Sequence, residues 1–379
     1  MSKDLMKSLY FDNHTSNEGT VSAPHRQGQK LLSTCEKAYK QLYEVCGASD
    51  HHTFVFTASG AEAINQIAFS TYLEIAKKRG KNHFVTSMID EAPQVMAFSR
   101  LKQEFGCEFS MASVSDKGVV TVEAIAQTIT PNTALVSLSW ASGLTGVIHP
   151  ISDIASLCRE RGILFHVDAS HVIGKLELNF DASGYDFLTF NGDHIGAPKG
   201  SGGLFVKQAV PLSPLILGGS EQGGYRGGSL DVPNLKALAD AMVKMENLRD
   251  HFGTEIAHFK GHFERRLKKE IPGCCIMFEQ TQRLPHISCP CFPRVSGEAL
   301  AFILNDKEVY ASFGGGQMQQ ISHILQSSQI SDKQALCALS FGFSSTQTKE
   351  EIDQGVDRII EAYNQLAKTS RYLEDFNES

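Results

Sequence analysis

The sequence predicts an α/β protein with a mostly parallel sheet in a large domain, followed by a smaller α+β domain. Short runs rich in apolar and β-branched residues recur in the first half of the chain, with helical stretches between them. That alternation is typical of βαβ units, whose parallel sheet is covered by helices. The chain has 379 residues, which is too long for one small domain. Hydrophobic residues make up 42% of it, which is ample for a buried core. The six strands predicted in this way span residues 54–57, 84–86, 134–139, 163–167, 187–190 and 204–206.

Helix signals separate these strands. A helix predicted to begin near Gly60 ends at Gly80, after a basic last turn, and a second covers residues 151–161. A glycine-rich stretch, residues 218–228, is followed by a strongly helical segment at 234–270 that carries the chain out of the large domain.

The remainder predicts a small α+β domain. Strands are expected near residues 287–292 and 309–312, and helices at 297–304 and 349–368. The polar tail, residues 371–379, is expected to be frayed.

Three parts of the chain follow from this pattern. They are an N-terminal segment at 1–20, a large α/β domain at 21–250 and a small domain at 251–379. In a sheet of this kind a ligand is expected beyond the carboxyl ends of the strands.

Charge and hydropathy exclude several classes of function. The formal net charge is −7, with acidic and basic residues scattered, so no basic face favours nucleic acid. The first residues lack the apolar core of a secretion signal, and no apolar run approaches the roughly 20 residues that span a bilayer. We therefore expect a cytoplasmic protein without nucleic-acid or membrane partners.

Nine cysteines, an odd number spread along a long chain, argue against a disulfide scaffold. Cys274 and Cys275, with Cys289 and Cys291, come close to a metal-ligand cluster, but neither pair has C-x-x-C spacing and only His286 lies nearby. Zinc is the alternative, and the favoured interpretation is reduced thiols with no metal site.

A series of motifs, in a fixed order, carries a family resemblance. Segments 10–13 (YFDN), 56–63 (FTASGAEA), 166–175 (HVDASHVIGK), 189–200 (TFNGDHIGAPKG), 218–229 (GGSEQGGYRGGS), 296–300 (SGEAL) and 340–342 (SFG) match in sequence order. Each is weak alone, because glycine-rich turns occur for packing reasons in many α/β proteins. Together they resemble cysteine desulfurases of the NifS/IscS type, in the class V aminotransferase family, along nearly the whole chain.

The resemblance implies a fold, a cofactor and an assembly. The fold is that of the pyridoxal-phosphate-dependent transferases, aspartate aminotransferase-like (fold type I), with a seven-stranded sheet and a small domain. The glycine-rich loop of the family reaches the phosphate site of a neighbouring subunit, so a homodimer is implied. The implied cofactor-binding positions are Gly60, Ala61, Glu91, Asp168, His171, Asn191, Asp193 and Ser229.

Within that set, Gly60 and Ala61 belong to a helix start whose amides hold the cofactor phosphate. Asp168 matches the aspartate that pairs with the pyridine nitrogen and keeps the ring an electron sink. Asn191 and Asp193 align with positions whose side chains help to bind the cofactor phosphate in the family. The acidic Asp193 would instead repel a phosphate.

The positions that carry desulfurase chemistry have changed. The Schiff-base lysine is replaced by His194, which has no primary amine and cannot form an imine. The ring-stacking histidine aligns with Glu91, and an asparagine near the cofactor's phenolic oxygen aligns with Gly143. The nucleophilic cysteine aligns with Gln317 and the substrate-binding arginine with Ala338.

Two interpretations of His194 stay open. In one it fills space beside Asp168, and in the other it is a proton-transfer base beside a cofactor held without a covalent bond. Lys175 and Lys199 are the candidates for a displaced Schiff base, although both already match other lysines of the family pattern.

Three functions remain. The favoured hypothesis is a non-catalytic or regulatory dimeric protein linked to sulfur transfer, with an active paralogue or a sulfur-acceptor protein as partner. The alternatives are a pyridoxal-phosphate enzyme that uses His194 as acid and base, and a divergent active desulfurase or transferase. Pyridoxal phosphate is thus expected either without covalent attachment or not at all.

Overall fold

The central element of the fold is a seven-stranded sheet. A computed structural model describes residues 9–14, 19–315 and 319–369. The strands of the sheet are β1 (Thr53–Thr57), β2 (His83–Ser87), β3 (Glu108–Ala112), β4 (Thr133–Ser139), β5 (Leu164–Asp168), β6 (Phe187–Asn191) and β7 (Gly202–Val206). Their order is β1-β7-β6-β5-β4-β2-β3. Strands β2 to β6 run parallel and β7 is antiparallel to both neighbours, so the predicted α/β sheet is confirmed.

Helices cover both faces of this sheet and build the rest of the molecule. They are α1 (Arg26–Val45), α2 (Gly60–Thr71), α3 (Lys77–Arg79), α4 (Ala92–Phe105), α5 (Val122–Thr128), α6 (Ile151–Arg161), α7 (Val232–Asn247), α8 (Arg249–His251), α9 (Ala257–Glu270), α10 (Gly297–Asp306), α11 (Ile321–Ser327), α12 (Asp332–Leu336) and α13 (Lys349–Thr369). Within the described residues, none of these helices combines the length and hydropathy of a membrane span.

Alternation along the strands places side chains in two separate cores. Phe54 and Phe56 of β1 pack in the core beneath α1, α6 and α7, whereas Val55 between them packs beneath α2 and α4. Successive side chains of a strand point to opposite faces, so a strand buried on both faces is apolar throughout. This is why the strands were recognisable as short continuous apolar runs.

Most predicted helix ends agree with the structure. The helix that begins at Gly60 continues through a π-helical turn, Tyr72–Ala76, and ends at Gly80, whose φ of 77° suits glycine. The helical stretch predicted at 234–270 comprises α7, α8, a π-helical turn and α9. The proposed domain boundary at residue 250 falls within α8 and stays a prediction.

The second half of the chain differs from expectation in its strands. After α9, the described residues contain strands of two residues each: β8 (Cys275–Ile276), β9 (Ile287–Ser288), β10 (Pro290–Cys291), β11 (Gly314–Gly315), β12 (Gln319–Gln320) and β13 (Phe341–Gly342). The strand predicted at 287–292 is split, because β9 pairs with β13 and β10 pairs with β8. The strand predicted at 309–312 was wrong: only Ser312 pairs, through a single bridge to Ser340. The tail at 371–379 lies outside the described residues.

The outer edge of β1 is covered by a side chain rather than by another strand. The Gln222 carboxamide accepts a hydrogen bond from the Phe56 amide (2.7 Å) and donates one to the Phe56 carbonyl (3.0 Å). Gln222 lies in the glycine-rich loop and has a φ of 47°. The Gln222 side chain thus takes the hydrogen bonds of the Phe56 N–H and carbonyl groups, which a neighbouring strand could otherwise form.

Candidate active site

A cavity of about 220 Å³ lies beyond the carboxyl ends of β4 and β5. Its lining includes Glu91, Gly143, His171 and His194, together with Ser312, Gly314 and Gly315. This is the sheet edge at which the sequence predicts a ligand.

Glu91, His171 and His194 form a contiguous cluster in this cavity. The imidazole of His171 donates a hydrogen bond from Nε2 to Oε1 of Glu91, 2.7 Å away. The rings of His171 and His194 lie side by side, with centroids 4.7 Å apart and planes tilted by 31°. Glu91 immediately precedes α4, His171 follows β5 and His194 lies in the 3₁₀ turn Gly192–Ile195 after β6. The fold therefore assembles three separate loops into a carboxylate–imidazole–imidazole cluster.

The surroundings shift the pKa values of the two imidazoles in opposite directions. Burial lowers the pKa of His171, but the hydrogen bond and charge of Glu91 outweigh it, and the net shift is upward. Burial raises the pKa of Glu91, but its bond to His171 outweighs that effect and the net shift is downward. Burial, followed by the positive charge of His171, lowers the pKa of His194. His171 therefore binds a proton more tightly than His194 does.

Gly143 makes room for the His171 ring. A Cβ atom at residue 143 would lie 2.3 Å from Cε1 and 2.4 Å from Nε2 of His171. The family's asparagine at this position is thus incompatible with His171 as it stands, and the two replacements are structurally linked.

Asp168 ends β5 and is held by its own turn. One oxygen, Oδ1, accepts from the Ser170 amide (2.9 Å) and hydroxyl (2.6 Å). The Ser170 hydroxyl also accepts from the amide of Asn191 at the end of β6 (3.0 Å). Burial, and then the charge of Glu91, raise the pKa of Asp168 to about 6. Sequence reasoning missed Ser170, although it stands within the HVDASH segment.

The start of α2, where the family holds phosphate, is occupied by side chains of this chain. Ser59 caps the helix by accepting from the Glu62 amide (3.1 Å), and Glu62 accepts from the Ala58 amide (2.9 Å). Asn191 Oδ1 accepts from the Gly60 amide (3.1 Å). Arg226 neutralises the Glu62 carboxylate, with Nε 2.5 Å from Oε1. The S-x-x-E spacing of Ser59 and Glu62 is a helix-cap signal that the sequence offered.

The other predicted positions lie in different surroundings. Asp193 is exposed and accepts from the Asn191 side chain (2.5 Å), and Ala61 follows Gly60 in the first turn of α2. Ser229 lines a separate cavity near Thr20 and Leu31. Ala338 is buried in a cysteine-rich core cluster.

Neither candidate lysine lines the cavity. Lys199 is exposed, and Lys175 is buried but faces a different cavity behind His194. Among the described residues the lining of the first cavity includes no amine. Gln317 lies outside the described residues, although Ser312 and Gly314 on the preceding segment reach the cavity.

The nine cysteines are free thiols. Cys275 lies opposite Cys291 in the pairing of β8 with β10. Within the part of the chain that the structure describes, the group of metal-binding side chains close enough to share an ion is His51, His52 and Asp181, not the cysteines.

Comparison with known proteins identifies the family. The aminotransferase class-V family matches residues 6–354. The chain belongs to this family. Among its relatives it is 30% identical to a cysteine desulfurase of Gluconacetobacter diazotrophicus, over 96% of this chain and 90% of that protein. It is 31% identical to a cysteine desulfurase of Nostoc sp., over 96% and 89%.

Solved structures agree with this assignment. A NifS-like protein superposes with a TM-score of 0.85 at 25% identity, over 92% of each chain. DndA from Streptomyces lividans superposes with a TM-score of 0.74 at 25% identity, over 86% of this chain and 91% of that one. The predicted resemblance and fold class are confirmed.

Class-V aminotransferases depend on pyridoxal phosphate. The residues of this cavity do not fit a pyridoxal phosphate that is held by a covalent bond. His194 provides no amine, and Glu91, bonded to His171, brings a carboxylate to the cavity. The amides of Ala58 and Gly60 at the phosphate position are already bonded to Glu62 and Asn191. No chemical step through the cofactor follows from this arrangement.

Proposed function

We propose that this protein is a non-catalytic member of the cysteine desulfurase group, which acts through protein contacts in sulfur transfer. The observation that carries the proposal is the Glu91–His171–His194 cluster, which places a carboxylate and two imidazoles in the lining of the first cavity. Among the described residues, that lining includes no amine. An enzyme that condenses with an amino acid needs that amine and a cation for the substrate carboxylate.

The carboxylate clamp is missing as well. Ala338, which aligns with the family's arginine, is buried among Cys289, Cys291 and Cys337 and has no charge to offer. Loss of both the anchor and the clamp argues against a divergent active desulfurase, because an alignment error at one position leaves the other loss unexplained.

We further propose that the protein forms a homodimer. Three consecutive apolar residues before the glycine-rich loop, Leu215, Ile216 and Leu217, are exposed in the single chain, with Leu217 83% exposed. A contiguous exposed apolar run of this kind marks an interaction surface. An active desulfurase relative or a sulfur-acceptor protein is the further partner that the family membership favours.

A second candidate is supported by two polar groups at the carboxyl ends of β4 and β5. Asp168 still ends β5, and the Ser139 hydroxyl is buried there without a partner among the described residues. These groups favour an enzyme in which His194 accepts a proton beside a cofactor bound without a covalent link.

Absorption spectroscopy separates these functions. The purified protein is mixed with pyridoxal phosphate, its visible spectrum is recorded, and borohydride reduction is followed by peptide mapping. The non-catalytic role predicts no protein-bound band after desalting. A retained band without a labelled peptide favours the His194 base, whereas one specifically labelled lysine overturns the proposal.

A substitution tests whether only the anchor is missing. We expect His194→Lys to gain no imine band, because Glu62 and Asn191 still occupy the helix amides. His51→Lys, which places a new lysine on the exposed surface, is the control for non-specific labelling. An imine band in His194→Lys but not in the control would show an intact cofactor pocket and contradict the proposal.

A further inference from the structure

A second cavity, of about 570 Å³, lies behind His194. Its walls come from α7, from residues 194–198, from Phe252 and from the segment 343–345 that follows β13. His194 lines both cavities, whereas Glu91 and His171 line only the first.

Lys175 is the unexplained residue of this second cavity. It is only 8% exposed, and within the described residues its ammonium group has neither a hydrogen-bond acceptor nor a carboxylate partner. The ammonium group makes a cation–π contact with the Phe252 ring, whose centroid is 5.5 Å from Nζ. Burial lowers the pKa of Lys175 to about 8, which leaves it mostly charged at neutral pH. A buried charge without a partner is costly, so the site favours an anion.

Other partly buried lysines of the chain show the contrast. Burial also lowers the pKa of Lys260 to about 8, but its ammonium donates to the Leu284 carbonyl at 2.8 Å. Lys207 lies over the Phe180 ring, yet it donates to the Asp181 carbonyl at 2.9 Å. Lys175 differs from both because its donors face the cavity unpaired.

His286 supplies a second unpaired polar atom at the same cavity. Its Nδ1 is buried and has no hydrogen-bond partner among the described residues. Burial, followed by the positive charge of Lys175, lowers the pKa of His286 to about 3, so the ring is neutral. A neutral imidazole ring carries one N–H group, so the ring can donate one hydrogen bond. Lys175 and His286 together can therefore hold one oxyanion.

The rest of the wall selects among anions. Its remaining side chains are mostly apolar and include Met245, Leu248, Phe252 and Phe343; the polar exceptions are His194, Asp240, Lys244, Ser344 and Ser345. Inorganic phosphate needs more donors than one ammonium and one imidazole, whereas a carboxylate needs few and can carry an apolar body.

We propose that this second cavity binds a small organic carboxylate, with its oxygens on Lys175 and His286 and its apolar chain against Met245, Leu248 and Phe343. This site is distinct from the first cavity and requires no pyridoxal phosphate. His194 lines both cavities, so a ligand in the second cavity lies close to the His171–His194 pair.

Calorimetric titration of the full-length, cofactor-free protein with three probes tests the chemical class. The probes are hexanoate, 1-hexanol and inorganic phosphate. Hexanoate is expected to bind at least about tenfold more tightly than hexanol, because charge-assisted bonds to the carboxylate contribute roughly that factor. Failure of hexanoate to bind, equal binding of hexanol, or tighter binding of phosphate would each overturn the proposal.

Variants test the location. Lys175→Met is expected to weaken hexanoate binding about tenfold or more, and the matched control Lys207→Met, outside this cavity, is expected to leave it unchanged. If Lys175→Met fails to fold, His286→Phe keeps the ring against Phe252 but removes the nitrogen, and it too is expected to weaken binding. Unchanged affinity in the folded variants would refute the site.

Histidine NMR of the unaltered protein gives an independent readout. On addition of hexanoate, the imidazole signals of His286 and His194 are expected to shift, whereas His166, buried within the sheet between Ser137 and Thr189, is expected not to shift. Shifts confined to other histidines would place the ligand elsewhere and contradict the assignment.

Discussion

The imidazole ring of His171 lies against the α-carbon of Gly143, so closely that a methyl group on residue 143 would sit 2.3 Å from ring atom Cε1. That separation is far inside van der Waals contact, and the ring is held in place by its bond to Glu91. Glu91, Gly143 and His171 are thus three replacements that depend on one another, which favours an organised site over independent drift.

We expect Gly143→Ala to destabilise the protein by about 2 kcal/mol, the usual cost of overpacking a filled site. In a His171→Ala background the same change is expected to cost much less, because the ring is gone. Urea denaturation of the four proteins in the cycle measures this coupling. Gly355→Ala in α13, where an added Cβ meets nothing within 4 Å, is the control. Equal costs in both backgrounds would contradict the contact.

His171 is expected to titrate above 6.5 and His194 below it, since Glu91 raises the pKa of the first and burial with the charge of His171 lowers that of the second. Glu91→Gln is expected to lower the pKa of His171. Because the folded-state pKa of His171 is raised, its contribution to stability is present below about 6.5 and is lost as pH rises through the folded value. The lowered pKa of Glu91 contributes above about 4.5 and that part is lost at more acidic pH.

Two-dimensional NMR of the histidine rings gives both pKa values. The stability difference between the unaltered protein and Glu91→Gln is expected to be largest between about pH 5 and pH 6. A stability difference independent of pH would contradict the charge interaction between Glu91 and His171. A His194 pKa above that of His171 would contradict the inferred order of the two pKa values.

The buried ion pair between Arg283 and Glu264 is expected to behave as one unit. Its two hydrogen bonds are 2.7 and 3.2 Å long, and Ser288 donates a third to Glu264 at 2.8 Å. Arg283→Met is expected to cost about 3 to 5 kcal/mol, because Glu264 keeps an unpaired buried charge. The double variant with Glu264→Leu is expected to recover much of that loss in chemical denaturation, and strict additivity would argue against the pairing.

Asp90 is expected to be a structural residue, not a reactive one. It accepts from the amide of Ser87 (2.8 Å), the hydroxyl of Thr86 (2.9 Å) and the amide of Ser139 (2.6 Å), and so fixes the loop that presents Glu91. Asp90→Ala leaves three buried donors unpaired and is expected to cost about 3 kcal/mol in thermal or urea unfolding. The exposed Asp116→Ala serves as control, with a change below about 0.5 kcal/mol.

Much of the large sheet was predictable, because a strand buried on both faces must be a short apolar run. Strand β3 was not predicted. It is an edge strand with an exposed Glu108, so it does not form a continuous apolar run. In the second half of the chain, two-residue strands carry too little pattern to be recognised. The false strand at 309–312 has the apolar run of a strand but makes only the Ser312 bridge.

The replacements at the site could be identified from the sequence, and their effect on function stays a prediction, whereas the new contacts could not be foreseen. Motif order placed His194, Glu91, His171 and Gly143 in one pocket, yet nothing in their spacing indicated that His171 turns toward Glu91. Lys175 lines the second cavity together with Phe252 and His286, which lie about 80 to 110 residues later in the chain. No sequence pattern linked these three residues.

The carboxamide of Gln222 has a consequence for how this chain behaves at high concentration. A sheet edge with open amides and carbonyls is a template on which strands of other molecules add, and natural proteins block such edges. Here a single glutamine from the glycine-rich loop occupies part of that template, at Phe56. We therefore expect resistance to aggregation in this protein to depend in part on a residue that touches neither cavity.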